Sequence, residues 1–306
     1  SDEGAAIDRF EGPGPRLALS PEALDEVLTC EAPRGDTERE ATILLVHGTA
    51  LTAEESWPRT YGKVLPELGW RTCSVTLPER SLGDIQIATE TVVAAVRRLH
   101  RRHGLPVSLI GHSQGGLEIR WATRWWPDLG DLIDDAIMIA TPNHGTLVAN
   151  VLCLQTLVGC TAAVQQQRPG SAFLEALNAT PLDARVDFTS IYSLTDDIVT
   201  TLPPDFSPAV EGAANILVQS VCPLRPVLHI PMLTDAVVYA AVLDALENPG
   251  PADPARIPAR TCLSLVAEGM TPGDFLLNTG TYLPALLAVA GNRADDEPAL
   301  ADYVVP

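Results

Sequence analysis

Residues 107–117 read Val-Ser-Leu-Ile-Gly-His-Ser-Gln-Gly-Gly-Leu. A short apolar run stops at Gly111, Ser113 follows, and a helix-forming stretch opens at Gly115. This order constrains the fold more than composition does. A strand that turns at once into a helix lifts the serine hydroxyl clear of a sheet. A Cβ at position 111 or 115 is expected to crowd the serine, so glycine suits both flanks. Gly-x-Ser-x-Gly by itself recurs by chance, and the same residues suit a plain strand–turn–helix junction. Ser113 is a nucleophile only if the rest of the chain supplies its partners.

A serine is a poor nucleophile unless a base takes its proton and a third group orients that base. In folds built around such a turn the chain order is Ser, then Asp or Glu, then His. The histidines are His47, His100, His103, His112, His144 and His229. Only His144 and His229 follow Ser113, and only His229 leaves room for an acid on a later strand. The acid is expected just past the strand at 186–193, where Asp196 and Asp197 stand side by side. Position does not separate them: one bonds the imidazole, the other caps or solvates the loop. Acyl transfer also needs donors for an oxyanion. The backbone N–H of Gln114, opening the helix, is one. The second is expected from His47-Gly48-Thr49, where Gly48 permits close approach and Thr49 offers an N–H and a hydroxyl. His47 and His112 adjoin this site and are expected to shape it. His144 closes a core strand and is expected to line a substrate pocket, while His100 and His103 read as structural or exposed.

Strand candidates at 41–46, 70–77, 107–110, 136–140, 186–193 and 216–221 alternate with helical stretches at 85–103, 114–126 and 232–246. Alternation of this kind predicts an α/β fold with a mostly parallel sheet covered by helices on both faces. The chain reads as a single α/β-hydrolase domain over 1–306. Residues 1–40 form a polar N-terminal arm, 144–170 a lid-like helical insertion, and 248–306 a C-terminal extension contributing to the pocket. The apolar segments 147–164 and 271–291 lie in those last two parts.

The chain has 306 residues, of which 46% are hydrophobic, so it can bury a substantial core. No apolar run is long enough to span a bilayer. A net charge of −19 argues against nucleic acid and anionic lipid surfaces as partners. Arg97, Arg98, Arg101 and Arg102 suit the C-terminal end of a helix. No His, Asp and Glu grouping has metal spacing, and neither a metal nor a cofactor is expected. The six cysteines, Cys30, Cys73, Cys153, Cys160, Cys222 and Cys262, contain no C-x-x-C pair. An even, scattered set suits three disulfides and an oxidising compartment, though spacing alone does not choose the pairing. The polar start, Ser1-Asp2-Glu3-Gly4, shows no signal peptide and suits a mature, secreted form.

Over residues 30–291 the chain resembles the family of Candida antarctica lipase B. Leu45-Val46-His47-Gly48-Thr49 is similar to the family's Leu-Val-Pro-Gly-Thr. Ser113-Gln114-Gly115-Gly116-Leu117 is similar to its Ser-Gln-Gly-Gly-Leu. Tyr192-Ser193-Leu194-Thr195-Asp196-Asp197-Ile198-Val199 is similar to its Tyr-Ser-Ala-Thr-Asp-Glu-Ile-Val. The resemblance implies that Asp196 is the acid and that Thr49 and Gln114 hold the oxyanion. His229 follows Cys222 much as the family's base follows a disulfide cysteine. It also implies bridges Cys30–Cys73 and Cys222–Cys262, leaving Cys153 with Cys160. Two straight helical turns would hold those two Cα atoms about 10 Å apart, so this last bridge requires a bend near Gly159.

The departures fall around the pocket. The family's third bridge is C-terminal, whereas this chain's extra pair lies where the family carries a short mobile helix. His112 stands where the family has a tryptophan flooring the alcohol pocket, and Asn143 where it has an aspartate. His112, Asn143 and His144 are therefore the candidate substrate-binding residues. The resemblance implies a secreted, monomeric serine lipase. Its expected partner is a small-molecule ester or a lipid, such as a triacylglycerol or another long-chain acyl ester, at an oil–water interface. A short-chain carboxylesterase or acyltransferase fits the same motifs. So does an inactive hydrolase fold used for binding.

Overall fold

A computed structural model describes residues 12–35, 37–154, 159–199 and 206–304. In chain order the elements that build the site are α1 (Pro21–Val27), β1 (Leu28–Glu31), β2 (Thr42–Val46), β3 (Arg71–Val75), α2 (Ile85–His103), β4 (Val107–His112) and α3 (Gly115–Trp125). They continue with β5 (Ile133–Ile139), α4 (Leu147–Leu154), α5 (Ala162–Gln166), α6 (Ala172–Asn178), β6 (Asp187–Tyr192), β7 (Ala214–Leu217), α7 (Ala236–Glu247), α8 (Pro272–Thr279) and α9 (Tyr282–Val289). The sheet runs β1-β3-β2-β4-β5-β6-β7, parallel throughout except that β1 pairs antiparallel with β3.

Every residue of β2 and β4 is buried, because helices cover both faces. Successive side chains of β2 point to opposite sides. Leu44 and Val46 pack with Val92 and Val96 of α2 and Trp121 of α3. Ile43 and Leu45 pack with Val237 and Val242 of α7. Asp84 caps α2 by accepting from Gln86 N, and Gly104 ends it with a left-handed φ of 66°. Arg97 and Arg98 do more than complement the helix dipole: both are buried, Arg97 on Asp128 and Arg98 on Asp25.

Two segments depart from the sequence reading. The stretch expected to be a polar arm instead supplies α1, capped by Ser20, and the edge strand β1. Neither could be seen beforehand: α1 is only seven residues long, and β1 is too exposed to show alternation. Residues 1–11 and 36 of that stretch lie outside the described residues. The strand expected over 216–221 stops at Leu217, and Val218–Val221 form a helical turn leading to Cys222. The β-branched run suits an edge strand locally, but Cys222 is tied to Cys262, which turns the chain off the sheet.

Three disulfides join Cys30–Cys73, Cys153–Cys160 and Cys222–Cys262. The first links directly opposed residues of β1 and β3. In the second the Cα atoms lie 4.7 Å apart, so the chain does turn back after α4. Residues 155–158, within the expected insertion, lie outside the described residues. A Cβ on Gly159 would sit 1.9 Å from the Val289 carbonyl oxygen, and Ala294 N–H donates to Cys160 O at 2.6 Å. The insertion and the C-terminal extension are thus pressed together backbone to backbone. Among the described residues no helix is long and apolar enough to cross a membrane.

Candidate active site

Ser113 sits between β4 and α3 with φ 55°, a left-handed conformation that a non-glycine residue adopts only under constraint. Its N–H donates to Ile139 O at 2.7 Å. The flanking glycines are needed, but for a different reason from the one the sequence suggests. A Cβ on Gly111 would lie 2.7 Å from Gly115 C and Gly116 N, and one on Gly115 would lie 2.2 Å from Val46 O. The nearest clashes are with the incoming helix and with β2. Gly48 is the glycine that borders the serine, since its Cβ would lie 3.0 Å from that of Ser113.

His229 Nδ1 lies 2.9 Å from Asp196 Oδ2 and 3.1 Å from Oδ1. A carboxylate can only accept, so Nδ1 carries the proton and Nε2 is the free lone pair. Asp196 Oδ1 also accepts from Ile198 N at 2.9 Å and Val199 N at 2.8 Å. Asp197 has another partner: its Oδ1 accepts the backbone N–H of His229 at 2.9 Å and the Tyr282 hydroxyl at 2.8 Å. One aspartate orients the ring and the other fixes the main chain. The base of this loop is held by Arg225, which pairs with buried Asp235 at 2.7 Å and donates to the carbonyls of Ser264 and Leu265. Ser113 and His229 line one cavity. Among the described residues their side chains make no hydrogen bond to each other. Contacts of this kind tighten when substrate binds.

The N–H groups of Thr49 and Gln114 make no hydrogen bond among the described residues. Their side chains belong to a buried chain of amides and acids. Thr49 Oγ1 donates to Gln114 Oε1 at 2.6 Å, and Gln114 Nε2 donates to Glu118 Oε1 at 2.7 Å. Gln167 Nε2 donates to Thr49 Oγ1 at 3.0 Å and to Gln114 Oε1 at 3.1 Å. Burial pushes the Glu118 carboxyl up to about 8. Sequence reasoning missed both outer members. Glu118 had a faint signal, lying one helical turn from Gln114. Gln167 had none, being one of three consecutive glutamines.

His47 is sealed beneath this loop. Its Nδ1 donates to Gly48 O and its Nε2 accepts from Leu77 N, each at 2.9 Å. Burial lowers its pKa to about 4, so it is a neutral brace. His112 lines the cavity and donates through Nε2 to His229 O at 3.1 Å. Asn143 and His144 do not line it. Asn143 is fully buried, accepting from Arg120 Nη1 and donating to Pro208 O. His144 is bound at the surface to Ser207. The chain turns at Asn143-His144, closed by Gly145 N–H on Pro142 O, so that Thr146, rather than its predecessors, reaches the cavity.

The cavity measures about 340 Å³ and is walled by apolar side chains. Ala149 and Leu152 come from α4, and Ala285, Leu286 and Val289 from α9. Leu147, Val151 and Leu154 on α4 and Leu276, Leu277, Leu283 and Leu287 on α8 and α9 are exposed. No cluster of His, Cys, Asp and Glu among the described residues could hold a metal ion.

No family model matches the chain. Lipase B of Pseudozyma antarctica is 32% identical over 96% of this chain and 88% of its own length. A triacylglycerol lipase of Pseudomonas fragi is 31% identical over 45% of this chain and 48% of its own. The crystal structure of Aspergillus fumigatus lipase B superposes with a TM-score of 0.85 at 26% identity, covering 96% of this chain and 74% of that one. The shared elbow, the parallel sheet and near-complete coverage converge on one assignment: the chain belongs to the lipase B family of α/β-hydrolases.

Proposed function

We propose that this protein is a secreted lipase that cleaves triacylglycerols or other long-chain acyl esters through an acyl-enzyme on Ser113. Ser113 Oγ attacks the ester carbonyl while His229 Nε2 takes its proton. Asp196 holds the imidazole in the required tautomer and stabilises its charged form. The N–H groups of Thr49 and Gln114 receive the oxyanion, joined by the Thr49 hydroxyl once it turns from Gln114 Oε1. His229 then protonates the leaving alcohol. Water, activated in turn by His229, releases the acid. Every step uses a group of this chain, and no cofactor enters.

The observation that carries this reading is the His229–Asp196 pair beside an elbow serine on one apolar cavity. The leucine-rich faces of α4, α8 and α9 around it favour an acyl chain delivered from an oil–water interface. Three disulfides favour an oxidising, extracellular setting. A fluorophosphonate should label Ser113 alone, and undiminished labelling of Ser113→Ala would overturn the assignment. No labelling of the wild type would instead mark an inactive, binding fold. Hydrolysis across acyl lengths, with and without an emulsion, separates a lipase from a short-chain esterase.

A further inference from the structure

On the back of α3 lies a second cavity of about 220 Å³, which shares no lining residue with the catalytic one. Arg120, Thr123, Arg124, Thr180, Asp183 and Arg185 are in its wall. Arg120 and Arg124 are one helical turn apart, a spacing at which like charges destabilise a helix. Arg120 is only 3% exposed. Its guanidinium donates to two neutral amide oxygens, Asn143 Oδ1 at 3.1 Å and Asn178 Oδ1 at 2.9 Å. Its Nε is buried and unpartnered, and so is the Nε of Arg124. The Arg124 guanidinium otherwise rests over the Trp125 ring at 4.6 Å.

Buried charges are ordinarily paired with an opposite charge. Among the described residues neither Arg120 nor Arg124 makes an ion pair. The one carboxylate in the wall, Asp183, is already taken by Arg185, through bonds of 3.0 and 2.6 Å. Arg185 in turn also reaches Asp131 at 3.0 Å. Burial and the Arg124 charge lower the Arg120 pKa only to about 10, so it stays charged at neutral pH. Two uncompensated guanidinium groups therefore face one polar cavity in a chain whose net charge is −19.

We infer that this cavity is a binding site for a small oxyanion, a phosphate, a sulfate or a carboxylate head, held by Arg120 and Arg124. Guanidinium N–H groups match such oxygens in charge and geometry. The volume accommodates the anion together with ordered waters, each needing about 30 Å³. The anion supplies the counter-charge that the fold lacks. Because Arg120 also holds Asn143 and Asn178, occupancy braces the turn after β5 against α6.

Thermal unfolding and titration calorimetry with inorganic phosphate, against chloride at equal ionic strength, test this. Wild type should show a saturable rise in Tm with phosphate that chloride does not produce. Arg124→Gln, at a partly exposed position that tolerates exchange, should weaken phosphate binding about tenfold or more. Arg101→Gln, which removes the same charge from the exposed end of α2, should leave binding unchanged. Acetate in place of phosphate reports whether a carboxylate head suffices. The proposal fails if phosphate and chloride act alike, or if both variants respond to phosphate equally. Fluorophosphonate labelling of Ser113 should be the same in all three proteins, so that loss of this site is distinguishable from loss of the catalytic one.

Discussion

His112 donates through Nε2 to the backbone carbonyl of His229 at 3.1 Å, with the two ring centroids 4.9 Å apart. The carbonyl can only accept, so the His112 proton is on Nε2 and Nδ1 is a bare acceptor, buried and unpartnered. Burial and the neighbouring His229 push its pKa down to about 3, which keeps it neutral. His112→Ala should free that carbonyl and open the cavity beside Ser113. We expect kcat for a small methyl ester to fall about tenfold, in line with the loss of one buried hydrogen bond. Esters of bulky secondary alcohols should lose less. Steady-state kinetics on paired esters check this, and an altered pH profile near neutrality would show that His112 titrates after all.

Asp196 and Asp197 are adjacent but bond different parts of His229. Asp196→Asn should reduce kcat by about 10⁴, because the amide no longer fixes the imidazole tautomer. Asp197→Asn removes an acceptor of one backbone N–H and one tyrosine hydroxyl, and should reduce kcat by about tenfold or less. Equal losses in a direct comparison would refute the division of roles.

Gln167 binds the side chains of both proposed oxyanion donors, Thr49 and Gln114. Gln167→Ala should leave Thr49 and Gln114 less firmly placed, lowering kcat by about tenfold with KM little changed. Thr49→Val removes a donor outright and should reduce kcat by about 10²-fold. A Gln167→Ala defect confined to KM would place this residue on the acyl chain instead.

Glu118 has a folded pKa of about 8 against an ordinary value of 4.5. Between those limits the folded state holds a proton that the unfolded state has lost. Stability from this group is therefore fully present below about pH 4.5 and declines as pH rises towards 8. Asp135, also raised to about 8 by burial, adds a decline of the same sign. Glu118→Gln should flatten the fall in unfolding free energy between pH 5 and 8, gaining on wild type at the alkaline end. Denaturant melts at both pH values measure it, and parallel curves for the two proteins would exclude a buried neutral carboxyl.

The Cys153–Cys160 bridge spans seven positions, and α5 follows it closely on the way to Gln167. Replacing both cysteines by serine should destabilise the protein by about 2 kcal/mol, as expected for a short closed loop. Proteolysis should then cut near α4 before the rest of the chain. Unchanged resistance there would mean that the packing of Gly159 on α9 holds the turn without the bridge.

Much of the site was legible because it depends on local rules. An elbow needs glycines around its serine, and the order Ser–acid–His leaves one candidate histidine. The short α1 and the exposed β1 carry no such signal, since a four-residue edge strand has no buried face to pattern. Asn143 and His144 misled for a related reason: their place after β5 is local, but which way they face depends on Arg120 and Ser207, both distant in sequence.

By itself, the sequence determined the parallel sheet and the serine turn, and it pointed to His229 as the proposed base, with the family resemblance favouring Asp196 as the proposed acid. These follow from short-range patterns of apolar residues, glycines and chain order. Tertiary structure alone decided how Asp197 serves the main chain of His229, how Gln167 and Glu118 join the side chains of Thr49 and Gln114, and how Arg120 and Arg124 come to line one cavity with no ion pair among the described residues. Those outcomes depend on groups brought together from far along the chain, where burial and unmet hydrogen bonds, rather than local pattern, set the energy.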